Sequence, residues 1–297
     1  MGLGKKKSVL VVANDAGTAE MIAGYVRVYA KKYTFFCYVA GPAVKIFRRE
    51  HIPYSRVSEK TVSKIVRKHR GVSFVLAGTG WMTHIESAVV SEAKKAGLKT
   101  VAYLDSHTDY RLRFGYPKPT WWANLPDEFW VGDKHDMACA KRQLPARRVH
   151  FVRNRYIASI VARYRKAKKI QDSVLFLSRE TGEVKSLFAK LMAGFSRRAT
   201  PPLVLIRSHP AESQTFHDHT IKKYQGRVRI SKSNEDDITC DLLRARIVVG
   251  METNAMVISG QAGITTVCVM SPREMSFLPP FRSITRVPNA EAALRLI

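Results

Sequence analysis

The run Val9-Leu10-Val11-Val12-Ala13 constrains this chain more than any other feature. It has no polar face. A strand made from it must be covered on both sides, as strands are in parallel sheets packed between helices. Runs of the same kind return at 74–77, 100–104, 174–177, 203–206, 247–249 and 266–269. Further strands are predicted at 34–39, 129–131, 150–152 and 228–230. Helical spacing fills the gaps, at 19–33, 43–50, 60–70, 85–96, 135–143, 183–195, 211–224, 238–244, 254–262 and 291–297. The alternation restarts after Asp172, and no repeat of 20–50 residues is present. The expected fold class is therefore α/β, with two Rossmann-like domains facing each other across a cleft. The domains are expected at 1–154 and 173–297. Residues 155–172 join them as a basic amphipathic helix, with Tyr156, Ile157, Ile160, Val161 and Tyr164 on one side.

Several classes are excluded early. No apolar stretch is long enough for a membrane span, and the run at 9–13 is too short for a signal sequence. Lys6 breaks the myristoylation pattern at the amino terminus. The four cysteines, Cys37, Cys139, Cys240 and Cys268, lie far apart, which suits a reducing cytoplasm and argues against a structural zinc site. The charge balance is unusual: 50 basic against 24 acidic residues, a formal net charge of +26. Such a field favours an acidic partner.

Ligands of open parallel sheets bind beyond the carboxyl ends of the strands, so the residues that follow each apolar run carry the functional reading. After the first run comes Asn14-Asp15-Ala16-Gly17-Thr18. Gly17 permits a tight turn, and the helix start behind it suits an anion or an acceptor hydroxyl. Asp15 or Thr18 as a simple helix cap is the plainer account. Residues 78–86 hold Thr79 and Trp81, whose indole is expected to stack on a sugar ring or to close the core. After 100–104 comes Asp105-Ser106-His107-Thr108-Asp109-Tyr110-Arg111, dense in groups that move protons or grip anions. Asp105, near His107, is the expected general base. Asp15, Glu86, His107 and Asp109 stand in reserve.

In the second half, 174–177 is followed by Ser178-Arg179 and 203–206 by Arg207-Ser208-His209-Pro210. A plain strand-to-helix turn needs only a cap, which Ser208 could supply. A cation and an imidazole beside a proline point to an anionic ligand. After 247–249 comes Gly250-Met251-Glu252-Thr253-Asn254. Glu252 is expected to accept both ribose hydroxyls. Thr253, Asn254 and the following helix amides are expected to hold a phosphate. His209 and Glu252 are read as lying on neighbouring strand ends. Asp236-Asp237 is read as helix capping.

At these residues the chain resembles GT-B glycosyltransferases. The His-Pro pair resembles that of bacterial sialyl-, polysialyl- and Kdo transferases, which use CMP-activated acidic sugars. The segment DLLRARIVVGMETNAMVISGQAG (241–263) also resembles the nucleotide-binding half of CDP-glycerol glycerophosphotransferases and nucleotide-sugar 2-epimerases. Residues 77–114 and 125–133 resemble bacterial polysaccharide-biosynthesis proteins of this architecture. The resemblance implies that His209 contacts the nucleotide phosphate or protonates the leaving group, that Glu252 and Thr253 hold ribose and phosphate, and that Asp105 is the base.

The expected function is glycosyl transfer from a nucleotide-activated sugar, with a CMP-linked acidic sugar favoured, to a glycan or lipid-linked acceptor. The leaving phosphate is expected to be stabilised by Arg207, His209 and helix amides, without a metal or a cofactor. The protein is expected in the cytoplasm, held by its 155–172 helix to an anionic membrane surface. Two rivals remain. A nucleotide-sugar 2-epimerase needs paired acids at the sugar carbon and no acceptor. A nucleic-acid-binding protein explains the charge directly, but no nucleic-acid-binding motif is present and no specific nucleic acid is expected.

Overall fold

The computed structural model describes residues 6–80, 83–105, 107–123, 125–210, 212–235, 237–271 and 276–297. The chain divides into two compact units, Met1–Ala158 and Ser159–Ile297. In the first, the strands are β1 (Lys7–Ala13), β2 (Tyr33–Val39), β3 (Ser55–Arg56), β4 (Phe74–Ala77), β5 (Thr100–Leu104), β6 (Glu128–Val131) and β7 (Val149–Phe151). They form one sheet in the order β3-β2-β1-β4-β5-β6-β7, and every pairing is parallel.

The missing polar face of β1 now has its reason. Val9, Val11 and Ala13 pack on one side, in a core with residues of α1 (Ala16–Tyr29) and α2 (Ala43–Arg49). Leu10 and Val12 pack on the other, with α3 (Val62–Lys68) and α4 (Ile85–Lys95). All five side chains are fully buried. Helix α5 (Lys134–Gln143) covers the β5–β6 end through Cys139 and Ala140.

Helix α6 (Arg155–Lys166) contains the boundary between the units. Its beginning packs closely on α1: a Cβ at Gly24 would lie 2.7 Å from the Tyr156 amide nitrogen. Its apolar side chains, Ile157, Ile160, Val161 and Tyr164, are buried. Its apolar side is thus taken up by packing, and its cations remain on the surface. Among the described residues no helix is long and apolar enough to cross a membrane.

The second unit holds β8 (Ser173–Leu177), β9 (Leu203–Arg207), β10 (Ile230–Lys232), β11 (Ala245–Gly250), β12 (Thr266–Val269) and β13 (Ile284–Val287). Their order is β10-β9-β8-β11-β12-β13, again parallel throughout. The helices are α7 (Gly182–Phe195), α8 (Asp218–Tyr224), α9 (Ile238–Arg244), α10 (Asn254–Ala262) and α11 (Ala290–Leu296). Here sequence and structure part at two places. The helix expected from residue 211 begins at Asp218, because Glu212 and His217 turn inward in the intervening loop and are buried. Also, β8 lies between β9 and β11. His209 and Glu252 therefore follow strands that flank β8 and are not adjacent.

Candidate functional site

Three acids converge where β1, β4 and β5 end, on strands that are direct neighbours. Asp15 caps α1, its Oδ1 accepting from the Gly17 amide at 3.0 Å. Asp105, the residue after β5, lies over the same glycine: a Cβ at Gly17 would sit 2.0 Å from Asp105 Oδ2. Gly17 thus serves as a close-approach residue for two carboxylates. Glu86, in the first turn of α4, reaches back between them. Its two oxygens accept from the amides of Asn14, at 2.9 Å, and Gly80, at 2.5 Å. Gly78 and Gly80 leave it room, since a Cβ on either would strike a Glu86 oxygen.

Among the described residues Arg113 is the cation at Asp105. Arg113 donates to Asp105 Oδ1 at 2.6 Å, to Thr79 Oγ1 at 2.8 Å and to the Thr79 carbonyl at 3.1 Å. The charge balance stays acidic, and the protonation of the group shows it. Burial pushes the Glu86 carboxyl up to about 7. Asp15 and Asp105 add to that rise, while the two backbone amides oppose it. Asp15 is also raised, by burial first and then by the charge of Asp105. Two carboxyls are thus held above their ordinary range beside a third that is paired with arginine, a pattern suited to holding and releasing protons.

His107 belongs to a second cluster, where β5 and β6 end. Its Nε2 lies 2.7 Å from Asp133 Oδ2. Burial alone lowers the imidazole, but the Asp133 bond and the charges of Asp136, Asp133 and Asp105 outweigh it and raise its pKa. Asp136 is pushed up to about 7 by burial and accepts a hydrogen bond from the Tyr110 hydroxyl. Arg111 stays apart from both clusters. It is exposed, donates to the Gln143 carbonyl at 2.7 Å and lies over the Trp121 ring. Trp81 lies outside the described residues, as do Ser106 and Asp236.

In the second unit the strand ends are differently built. Ser178, after the central β8, donates to Glu212 Oε2 at 2.7 Å and lies 2.6 Å from His217 Nε2, all three being buried. Burial lowers the His217 pKa, partly offset by Glu212. Arg207 lies at the end of β9. It donates to the buried Asp241 at 2.5 Å and to the Glu235 carbonyl at 3.1 Å. Arg179, His209 and Pro210 are exposed, and Ser208 is half-buried in the turn before Glu212 rather than at a helix start.

After β11, Gly250 packs so tightly that a Cβ would lie 2.6 Å from the Leu177 carbonyl oxygen. Glu252 accepts from the Ser276 hydroxyl, which also accepts from Arg286 Nε at 2.9 Å. Thr253 occupies the cap position of α10 without bonding to it. Its hydroxyl is buried and without a hydrogen-bond partner among the described residues. Asn254 opens the helix. Among the described residues no cluster of His, Cys, Asp or Glu could hold a metal ion.

Sequence reasoning named Asp15, Gly17, Thr79 and Asp105, which the fold brings together, and kept Glu86 only in reserve. It missed Arg113, Glu212, His217 and Asp241. Arg113 carried a signal, an arginine in the segment that follows the expected base. The other three depend on contacts that no local pattern encodes.

The architecture, two α/β units with parallel Rossmann-like sheets, is that of GT-B-type proteins. The sequence matches no protein-family model and no curated protein. Solved structures match it along nearly its whole length. The UDP-GlcNAc 2-epimerase from Neisseria meningitidis bound to UDP-GlcNAc superposes with a TM-score of 0.71 at 10% identity, covering 97% of this chain and 89% of the other. The UDP-GlcNAc 2-epimerase from Methanocaldococcus jannaschii gives 0.70 at 10% identity, with 98% and 92% covered. The Anabaena protein HepE in complex with UDP and glucose gives 0.65 at 12% identity, with 98% and 88% covered. These findings overturn the glycosyl-transfer expectation and its CMP-linked donor. Two of these three matches are to UDP-GlcNAc 2-epimerases, which agrees better with the epimerase rival than with glycosyl transfer.

Proposed function

We propose that the chain is a nucleotide-sugar 2-epimerase acting on a uridine-diphosphate-linked N-acetylhexosamine. The observation that carries this reading is the convergence of Asp15, Glu86 and Asp105 around Gly17, with Arg113 at Asp105. Carbon 2 of such a sugar has no carbonyl to stabilise a carbanion. When a base takes its proton, the released electron pair therefore forms a C1–C2 double bond and expels UDP from carbon 1. Inversion follows when an acid returns a proton to the other face of carbon 2 and UDP bonds again at carbon 1. A carboxylate can serve as that base and a carboxylic acid as that acid. Asp105, paired with Arg113, serves as the base. Asp15, with its raised pKa, serves as the acid. Glu86 touches backbone on both sides and fixes the loops that carry Asp15 and Thr79, so it is a positioning residue.

The nucleotide is assigned to the second unit. The Thr253 hydroxyl and the amides opening α10 suit a phosphate, and Glu252 suits the ribose hydroxyls. Support comes from the unpartnered, buried Thr253 hydroxyl and from the UDP bound in structures of the same architecture. No acceptor is needed. Proton NMR of a mixture of the protein and UDP-N-acetylglucosamine is the test. A new anomeric signal from the 2-epimer is expected. An unchanged nucleotide sugar at high protein concentration overturns the reading.

A further inference from the structure

In a parallel sheet all strands begin at one edge, and the helices that precede them end there. In the first unit that edge is basic. The last turn of each of its five α-helices carries lysine or arginine, from Arg27 in α1 to Lys141 and Arg142 in α5. Basic residues at helix ends complement the helix dipole, but the connecting segments there add more. Lys7 starts β1, Lys31 and Lys32 precede β2, and Lys68 and Arg70 precede β4. None of these five pairs with a carboxylate among the described residues, and all five are exposed. The acids at this edge are engaged: Glu50 with Arg27 and Arg49, Glu92 with Lys95, Glu128 with Lys99, and Asp127 with the amide and hydroxyl of Thr100. The three acids of the candidate site lie at the opposite edge of the same sheet.

The basic edge also presents apolar side chains. Trp122 is 64% exposed and Val28, in the last turn of α1, is 51% exposed. Lys94, in the last turn of α4, fixes the Trp122 segment at this edge by donating to the carbonyls of Ala123 and Leu125. A recess of about 300 Å³ opens between Lys7 and Lys99, walled by Tyr33, Phe74 and Trp130.

We propose that this amino-end face of the first unit docks on an anionic lipid bilayer. The cations supply long-range attraction to acidic headgroups. Trp122 supplies the interfacial aromatic that such surfaces favour, and the recess offers apolar walls under a cationic rim. A polynucleotide fits less well. A single strand needs rings presented flat to its bases, whereas Tyr25 and Trp130 are buried and Lys32 lies over the Tyr33 ring. Docking by this face leaves the acid cluster turned away from the lipid, so the proposal stands whatever reaction the cluster performs.

The test is co-sedimentation with vesicles of equal parts phosphatidylcholine and phosphatidylglycerol, against vesicles of phosphatidylcholine alone and against single-stranded RNA. The full chain is expected to sediment with the anionic vesicles only and to be released by salt. Reversing Lys31, Lys32, Lys68 and Arg70 to glutamate is expected to weaken vesicle binding by at least about tenfold. Trp122→Ala is expected to weaken it by a few-fold and to reduce tryptophan quenching by brominated lipid. Reversing Arg165 and Lys166 of α6 is expected to leave it unchanged. Failure to sediment with anionic vesicles, full binding by the quadruple variant, or tighter binding to RNA than to vesicles overturns the proposal.

Discussion

At the strand ends of the first unit Asp15, Glu86 and Asp105 lie together and Arg113 pairs with Asp105; at those of the second, Asp241, Glu212 and Glu252 each bond to a side chain of their own. Asp105 has Arg113, while Asp15 and Glu86 are held by backbone amides and raised by burial and by one another. In the second unit Asp241 has Arg207, Glu212 has Ser178, and Glu252 has Ser276. A surplus of acid costs stability and is retained where protons must move. A set of satisfied acids builds a fixed frame for a ligand. The proposed function assigns proton chemistry to the first arrangement and nucleotide holding to the second.

The largest effect expected from breaking this division is on turnover. Asp105→Asn keeps the size of the side chain and removes the base. The epimerisation rate is expected to fall by about 10²–10⁴-fold, with uridine nucleotide affinity unchanged by calorimetry. A near-normal rate moves the base to another acid of the cluster.

Next comes a loss of stability without a loss of site. Arg207→Ala leaves Asp241 buried and without its cation. Thermal or urea unfolding is expected to show a loss of about 3–5 kcal/mol, with nucleotide affinity of the folded protein retained. A loss of affinity with normal stability restores Arg207 to the ligand.

A third expectation concerns pH. Glu86 binds its proton more tightly in the folded chain, at about 7, than in the unfolded chain, near 4.5. Its contribution is therefore most favourable below about pH 4.5 and is lost as pH rises through about 7. The difference amounts to about 3 kcal/mol. Asp136, also near 7, acts in the same direction. Urea titrations at several pH values are expected to show this slope, and Glu86→Gln is expected to flatten it. An equal slope in the variant contradicts the assignment.

The smallest effect sharpens the second unit. Glu252→Ala is expected to weaken uridine diphosphate binding by about 1–3 kcal/mol and to leave the pH dependence of turnover unchanged. Unchanged affinity removes Glu252 from the nucleotide site.

What the sequence makes legible follows from range. The central strands are visible because their apolar runs answer to cores on both faces. The edge strand β13 is not, since Thr285 and Arg286 within it are exposed and the run is broken. The short β3 has too few residues to show a pattern. The turn after β1 identifies Asp15 and Gly17 locally. Glu86 becomes meaningful only when β4 lies beside β1, which brings it to the amide of Asn14, 72 residues earlier. The pairing of Arg207 is hidden for the same reason: Asp241 is 34 residues away. The insertion of β8 between β9 and β11 is a matter of topology, and strand order is not written in any single run.

The central claim is that the acid cluster takes a proton from one face of a sugar carbon and returns one to the other. Running the reaction in deuterium oxide tests it most directly. One deuteron is expected at the inverted carbon of UDP-N-acetylhexosamine, in wild type and not in Asp105→Asn. Epimer formed without deuterium, or a nucleotide sugar that never exchanges, contradicts it.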